Sequence, residues 1–286
     1  MAERDRTVAA VVSYPKSGRT WLSFLYAYYV ARWRLGEEAD GFLRELPFNL
    51  RPTESARFEG YLALHPEIPQ VGFHHVLQPV TPYYSLDVRL GKLRRLTGAS
   101  SLVALVRDPR DVVVSFYHHV RTRGIRGTRG DAGKHKALPE DVTISEFVRS
   151  ETMGVRSVVA YLNLLAKGMK EQHGFARTAV VHYEDLTAHP EATFAQIVKA
   201  IGLEPDGDSI RFAVELASFT RLQGLEQQRR PARERDGLRF RRGSAGSHRA
   251  ELTAADLSYL DRVIDAHLTP ELSRYHSEAK TVTEPA

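Results

Sequence analysis

Val8-Ala9-Ala10-Val11-Val12-Ser13-Tyr14-Pro15-Lys16-Ser17-Gly18-Arg19-Thr20-Trp21 begins the stretch on which the fold turns, and residues 22 to 30, LSFLYAYYV, complete it. Val8 to Val12 is a short apolar, β-branched run closed by a proline, the pattern of a strand buried on both faces of a parallel sheet. Beyond the turn, Trp21, Leu22, Leu25, Tyr28 and Tyr29 recur at helical spacing, so a helix is predicted from about Arg19 to near Gly36. A strand, a tight turn and a helix N-terminus make an anion site, because backbone N–H groups and the positive end of the helix dipole face one point. Lys16 adds a positive charge, Ser17 and Thr20 add hydroxyl donors, and Gly18 lets the backbone approach a phosphate closely. The loop is not of the Walker A form, which needs a glycine well ahead of the lysine; Ala10 to Tyr14 supplies none.

The segment Tyr14 to Trp21 resembles the 5′-phosphosulfate loop of the sulfotransferases that use 3′-phosphoadenosine 5′-phosphosulfate (PAPS). Other segments continue the likeness. Leu102 to Val106 is a second apolar run, read as a central strand ending at Arg107, with Pro109 placed for the first turn of a helix that carries Ser115. Arginine offers a planar fork to a phosphate and serine a hydroxyl. An Arg ending a strand with a Ser eight residues later resembles the family's 3′-phosphate-binding segment. After the predicted strand Thr178 to His182, Tyr183-Glu184-Asp185 resembles the family's Tyr-Glu-Asp turn, with Tyr183 near the adenine. Ser218-Phe219 resembles its Ser-Phe pair, which implies a base held between Trp21 and Phe219. Arg241-Arg242-Gly243 resembles the segment that closes over the 3′-phosphate, with Arg242 where the family has Lys and His248 where Trp is common.

Gln70 to Val76 reads as a strand with two histidines at its exit. Ligands collect at the carboxyl ends of parallel strands, and alternation sends His74 and His75 to opposite sides, so at most one enters the cleft. The resemblance makes His75 the match to the family's catalytic base, with His74 as the alternative. Phe73 stands where the family has Lys.

The fold these features imply is α/β, a three-layer sandwich with a central parallel sheet and a P-loop-like phosphate-binding loop, as one domain over residues 1–276 and a frayed tail over 277–286. At 286 residues, with 42% hydrophobic and 26% charged, the chain can bury a sizeable core. Zero cysteines exclude disulfides, thiolate metal sites and a Cys nucleophile. The N-terminal apolar run leads straight into the loop and is not read as a signal peptide, and no run approaches a membrane span, so a cytoplasmic setting is expected.

The net charge of +5 is concentrated in two windows: residues 121–136 hold six Lys or Arg against one acid, and 221–249 hold nine Arg against three acids. They read as Gly-rich loops covering an anionic ligand rather than as a stripe for duplex binding. The four glycines of Thr122 to Glu140 argue against a stable element there. Ile144 to Lys170 reads as one amphipathic helix. The eukaryotic dimer signature is not matched, since Ala254 follows Thr253 and Leu257 holds its Glu position; oligomeric state is left open.

The activity implied is transfer of a sulfuryl group from PAPS to a hydroxyl or amine of a small-molecule acceptor, leaving adenosine 3′,5′-bisphosphate (PAP). His75 would be the base and Lys16 would act on the leaving phosphate. Lys16, Ser17, Gly18, Arg19, Thr20, Trp21, Arg107, Ser115, Tyr183, Ser218, Phe219, Arg241, Arg242 and Gly243 would hold the nucleotide, with no metal. Phe73, Tyr83 and Tyr84 suggest a partly apolar acceptor, a phenol or lipid, while the basic loops would equally suit a sugar or an acidic metabolite. Two rivals are a kinase-like phosphotransferase, which would need Mg²⁺ and a Walker A lysine, and a basic nucleic-acid-binding module with steeply salt-dependent binding.

Overall fold

Neighbouring side chains of the first strand enter different cores. In β1 (Val8–Ser13), Ala9 and Val11 join a cluster with Leu25, Tyr29, Phe194 and Ile197, while Ala10 and Val12 join one with Val113, Leu162 and Ile264. Period-two alternation with both sets apolar is what a strand covered on two faces requires. The structure is a computed structural model; it describes residues 8–39, 56–74, 90, 93–95, 98–126, 135–136, 138–229, 240 and 243–277.

β1 pairs in parallel with β2 (Gln70–His74) on one side and β3 (Ser101–Val106) on the other, and β3 pairs in parallel with β4 (Arg177–His182). The order across the sheet is β2-β1-β3-β4. Val12 lies opposite His74 and Ala104, and Val106 opposite His182, so the carboxyl ends of all four strands form one rim. All six residues of β3 are buried, as its continuous apolar run requires.

One face is covered by α1 (Arg19–Leu35), α2 (Ala56–Leu64), α7 (Pro190–Ala200) and α8 (Gly207–Leu216), and the other by α3 (Pro109–Arg123), α4 (Ile144–Arg149), α5 (Val155–Glu171) and α10 (Ala254–His267). Between β4 and α7 lies the short α6 (Tyr183–Ala188), and α9 (Phe219–Arg229) follows α8. This is the three-layer α/β sandwich expected. Each fully buried side chain such as Leu25 contributes about 1.5–3 kcal/mol to this core. Among the described residues, no helix is long and apolar enough to cross a membrane.

The structure departs from the expected elements at several points. The single helix expected over 144–170 is two helices, broken at residues 150–154. A Cβ on Gly154 would lie 2.4 Å from the Ser150 carbonyl oxygen and 2.5 Å from that of Val148, so only glycine fits this backbone crossing. The basic window is not without elements either, since α3 runs on to Arg123 and Ile125–Arg126 pairs antiparallel with His135–Lys136. Phe73, expected at the acceptor, is buried in the first core. Ser277, assigned to the frayed tail, donates its backbone N–H to Asp265 at 2.8 Å; residues 278–286 lie outside the described residues.

Candidate active site

The turn between β1 and α1 has an unusual backbone. Lys16 has φ +74° and Gly18 φ +98°, and the Ser17 N–H donates to the Tyr14 carbonyl at 3.3 Å. A non-glycine residue in the left-handed region is held there by its surroundings. Here Tyr14 anchors the turn, fully buried with its ring edge-on to Phe116 and Tyr161 at 5.8 and 5.2 Å. The N-terminus of α1 has no side-chain cap and no acid in its first turn. Its N–H groups and dipole are therefore directed at whatever the loop encloses. The Ser17 hydroxyl is fully buried with no hydrogen-bond partner, a costly arrangement unless a ligand supplies an acceptor.

Tyr183 closes the loop from the other side. A Cβ built on Gly18 would lie 2.5 Å from Tyr183 Cδ2, and the Trp21 ring stands edge-on to Tyr183 at 5.8 Å. Trp21 is in turn oriented by donating its indole N–H to the Ala217 carbonyl at 2.7 Å. Gly18→Ala must therefore displace a buried ring while adopting a disfavoured φ; we expect PAP affinity to fall at least about 10-fold, read by calorimetry, with the fold retained. Tyr183 does not lie in a turn, as the sequence suggested, but opens α6 directly after β4.

Arg107 is the hub. At the end of β3 and 8% exposed, it donates from Nη1 to the Lys16 carbonyl (3.3 Å) and from Nη2 to the Ser244 carbonyl (3.2 Å), with its guanidinium carbon 4.3 Å from the Tyr183 ring centroid. Its Nε is buried without a partner. One side chain thus joins the phosphate loop, the Tyr-Glu-Asp segment and the Gly243 segment. Ser115 lies half-buried within α3, the helix that Arg107 precedes. Gly243 packs on Phe219, whose ring a Cβ there would meet at 2.1 Å, and Gly243 has φ +67°. Phe219 also meets Phe240 edge-on at 6.2 Å. The ring set against Trp21 is that of Tyr183; Ser218 is exposed at the start of α9.

Three acidic residues to which the sequence assigned no role of their own assemble this rim. Asp108 caps α3 by accepting from the Arg110 N–H at 2.9 Å. Asp111, fully buried within α3, accepts from the backbone N–H groups of Gly246 (2.7 Å) and His248 (3.0 Å), from His248 Nδ1 (2.8 Å) and from the Ser247 hydroxyl (3.3 Å). Burial opposes its charge, yet the His248 hydrogen bond and the Arg107 charge hold its carboxyl well below the usual carboxylate range. Glu184 accepts from the Asp108 N–H and from the Tyr275 hydroxyl, each at 2.8 Å, and burial pushes its carboxyl up. Asp108 directly before Pro109 was visible as a helix cap, and Asp111 stands one helical turn after Arg107.

His182 Nδ1 meets the Tyr275 hydroxyl at 2.8 Å. Tyr275 gives its only proton to Glu184, so Nδ1–H is the donor in that contact. Burial, reinforced by the Arg274 charge and opposed by Asp185, lowers the imidazole to about 4 from 6.5. The unfolded chain therefore binds a proton between those values that the folded chain refuses. Stability from this group is complete above pH 6.5 and lost as pH falls toward 4, by up to about 3 kcal/mol. In melting temperature against pH, His182→Asn, which keeps a donor but cannot be protonated, should flatten that limb.

At the β2 end, Arg19 Nη1 donates to the Phe73 carbonyl at 3.0 Å, fixing the strand's exit beside the phosphate loop. His74 Nε2 lies 2.3 Å from where a Gly72 Cβ would be, so this ring leans back along β2, away from the rim. Its place as alternative base thus lacks geometric support. His75, Arg241 and Arg242 lie outside the described residues. Lys16, Ser17, Gly18, Arg19, Trp21, Arg107, Tyr183, Phe219 and Gly243 are brought to one rim.

A family model described as "Sulfotransferase domain" matches residues 6–272. Flavonol 3-sulfotransferase of Flaveria bidentis is 23% identical over 274 residues, covering 90% of this chain and 80% of that protein. Cytosolic sulfotransferase 16 of Arabidopsis thaliana is 23% identical over 274 residues, covering 89% and 74%. Among solved structures, retinol dehydratase in complex with androsterone and inactive cofactor PAP superposes with a TM-score of 0.58 at 21% identity, over 94% of this chain and 82% of that one. The loop geometry and the match across nearly the whole sequence lead to one assignment: this chain belongs to the sulfotransferase domain family.

Proposed function

We propose that this sulfotransferase moves the sulfuryl group of PAPS to a hydroxyl of a small, largely apolar acceptor in one in-line step, with His75 as general base. The acceptor oxygen attacks sulfur as the bond from sulfur to the bridging oxygen of the 5′-phosphate breaks. The electron pair of that bond remains on the phosphate, and the acceptor proton passes to His75, a group whose ordinary pKa suits the task. Lys16, the Ser17 hydroxyl and the α1 N–H groups stabilise the charge that grows on the leaving phosphate. Arg107, Ser115, Arg241, Arg242 and Gly243 take the 3′-phosphate, the group that distinguishes PAPS from ATP. Trp21, Tyr183 and Phe219 give the base its apolar walls.

The observation that carries this reading is a pair of buried polar atoms without partners, Ser17 Oγ, next to Lys16 in the chain, and Arg107 Nε, whose guanidinium also bonds the Lys16 carbonyl. Each side chain carries a phosphate-binding role in the reading above. The names of the flavonol and androsterone-binding proteins support a hydroxylated apolar acceptor, and that of the Arabidopsis relative supports a cytoplasmic setting.

A thermal-shift titration tests the donor. PAP at about 100 times its dissociation constant should stabilise the fold by roughly 2.7 kcal/mol. Stabilisation by Mg-ATP alone would overturn the reading in favour of a phosphotransferase.

A further inference from the structure

His248 occupies a position whose chemistry the family resemblance does not explain. It is 2% exposed, its Nδ1 is 2.8 Å from Asp111 Oδ1, and Asp111 is the carboxylate nearest the Arg107 fork. An ionised carboxylate only accepts, so Nδ1–H is the donor in this contact. An indole at the same place would carry its N–H farther from the backbone and could not donate in the same way.

Asp111 and Arg107 are oppositely charged and buried, yet the gap between Arg107 Nη2 and Asp111 Oδ2 is 3.5 Å, too long for a hydrogen bond. The reason lies in how Asp111 is engaged. Oδ1 accepts from His248 N, His248 Nδ1 and Ser247 Oγ, and Oδ2 accepts from Gly246 N. Arg107 therefore directs its bonds elsewhere, to the Lys16 and Ser244 carbonyls, and keeps its buried Nε–H unpartnered. His248 Nδ1 holds Oδ1, while Oδ2, the oxygen that faces Arg107, accepts only from Gly246 N; without the His248 donor the carboxylate is freer to pivot and carry Oδ2 the few tenths of an ångström to the guanidinium. A buried charge takes the nearest available partner, and the Asp–Arg fork pair is among the strongest.

We infer that His248 is a positioning residue: by holding Asp111, it keeps the Arg107 fork turned toward the 3′-phosphate, and so sets the preference for a 3′-phosphorylated nucleotide over one without it. The inference rests on the proposed role of Arg107 in 3′-phosphate binding. It concerns affinity and selectivity, not proton transfer.

The test is the ratio of affinities for PAP and for adenosine 5′-phosphate, measured by calorimetry on the full chain. His248→Phe keeps a ring and loses the donor; PAP binding should weaken roughly 10-fold or more while adenosine 5′-phosphate binding is unchanged. His248→Asn restores a donor near the Nδ1 position and should recover most of the ratio. In an Asp111→Asn background, where the competing charge is gone, His248→Phe should leave the ratio where it was. An unchanged ratio in His248→Phe overturns the inference, as does an equal loss for both nucleotides, which marks a merely structural ring. Failure of the underlying reading looks different: the wild-type chain would not prefer PAP, or Arg107→Ala would leave its preference intact.

Discussion

His75→Ala is expected to slow sulfuryl transfer about 10²–10⁴-fold, the range lost with a general base, while PAP binds as before. The separation follows from the roles proposed: the base meets the acceptor, whereas the nucleotide contacts come from the phosphate loop, the end of β3 and the Gly243 segment. Single-turnover rates with saturating PAPS, set beside calorimetric affinity for PAP, read the two quantities independently. A variant that turns over normally would remove His75 from the mechanism. His74, whose ring leans back over Gly72, should show the smaller effect when replaced in the same way.

Arg107→Ala should produce the opposite signature, a loss of PAP affinity of about 10²–10³-fold from the removal of charged hydrogen bonds, with adenosine 5′-phosphate much less affected. Because Arg107 also bridges the Lys16 and Ser244 carbonyls, part of the loss could reflect a loosened loop. Arg107→Lys separates the two. It keeps the charge but not the planar fork, so an intermediate affinity is expected if the fork itself binds phosphate, and loss equal to that of alanine if the bridging geometry alone matters.

The sheet was legible because each of its central strands is a continuous apolar run, and the phosphate loop because proline, lysine and glycine fall together between two periodicities. Local signals of this kind also placed Pro109 at a helix start. What stayed hidden was whatever depends on distant partners. Asp111 reads as an ordinary helical acid until the chain returns 135 residues later to set Gly246 upon it. Glu184 meets Asp108 across 76 residues and Tyr275 across 91. The break at Gly154 was missed because apolar residues fall on both sides of it, Phe147 and Val148 before and Val155 to Leu165 after, while the cause is a backbone approach without a side-chain pattern. Tyr183 was placed near the base by resemblance, but its contact with Gly18 is a tertiary fact with no trace in local sequence.

The bridge from Arg107 to both Lys16 and Ser244 has a consequence for how the protein is made. The two carbonyls come from opposite ends of the chain, and the second contact spans 137 residues. Contacts of such separation form late, after the local helices and the first strand pairs. A nascent chain on the ribosome can therefore complete its first phosphate loop well before it can retain a nucleotide, and only emergence of the segment around Ser244 closes the circuit. Ligand capture by chains arrested at successive lengths should appear abruptly at that point rather than grow with length.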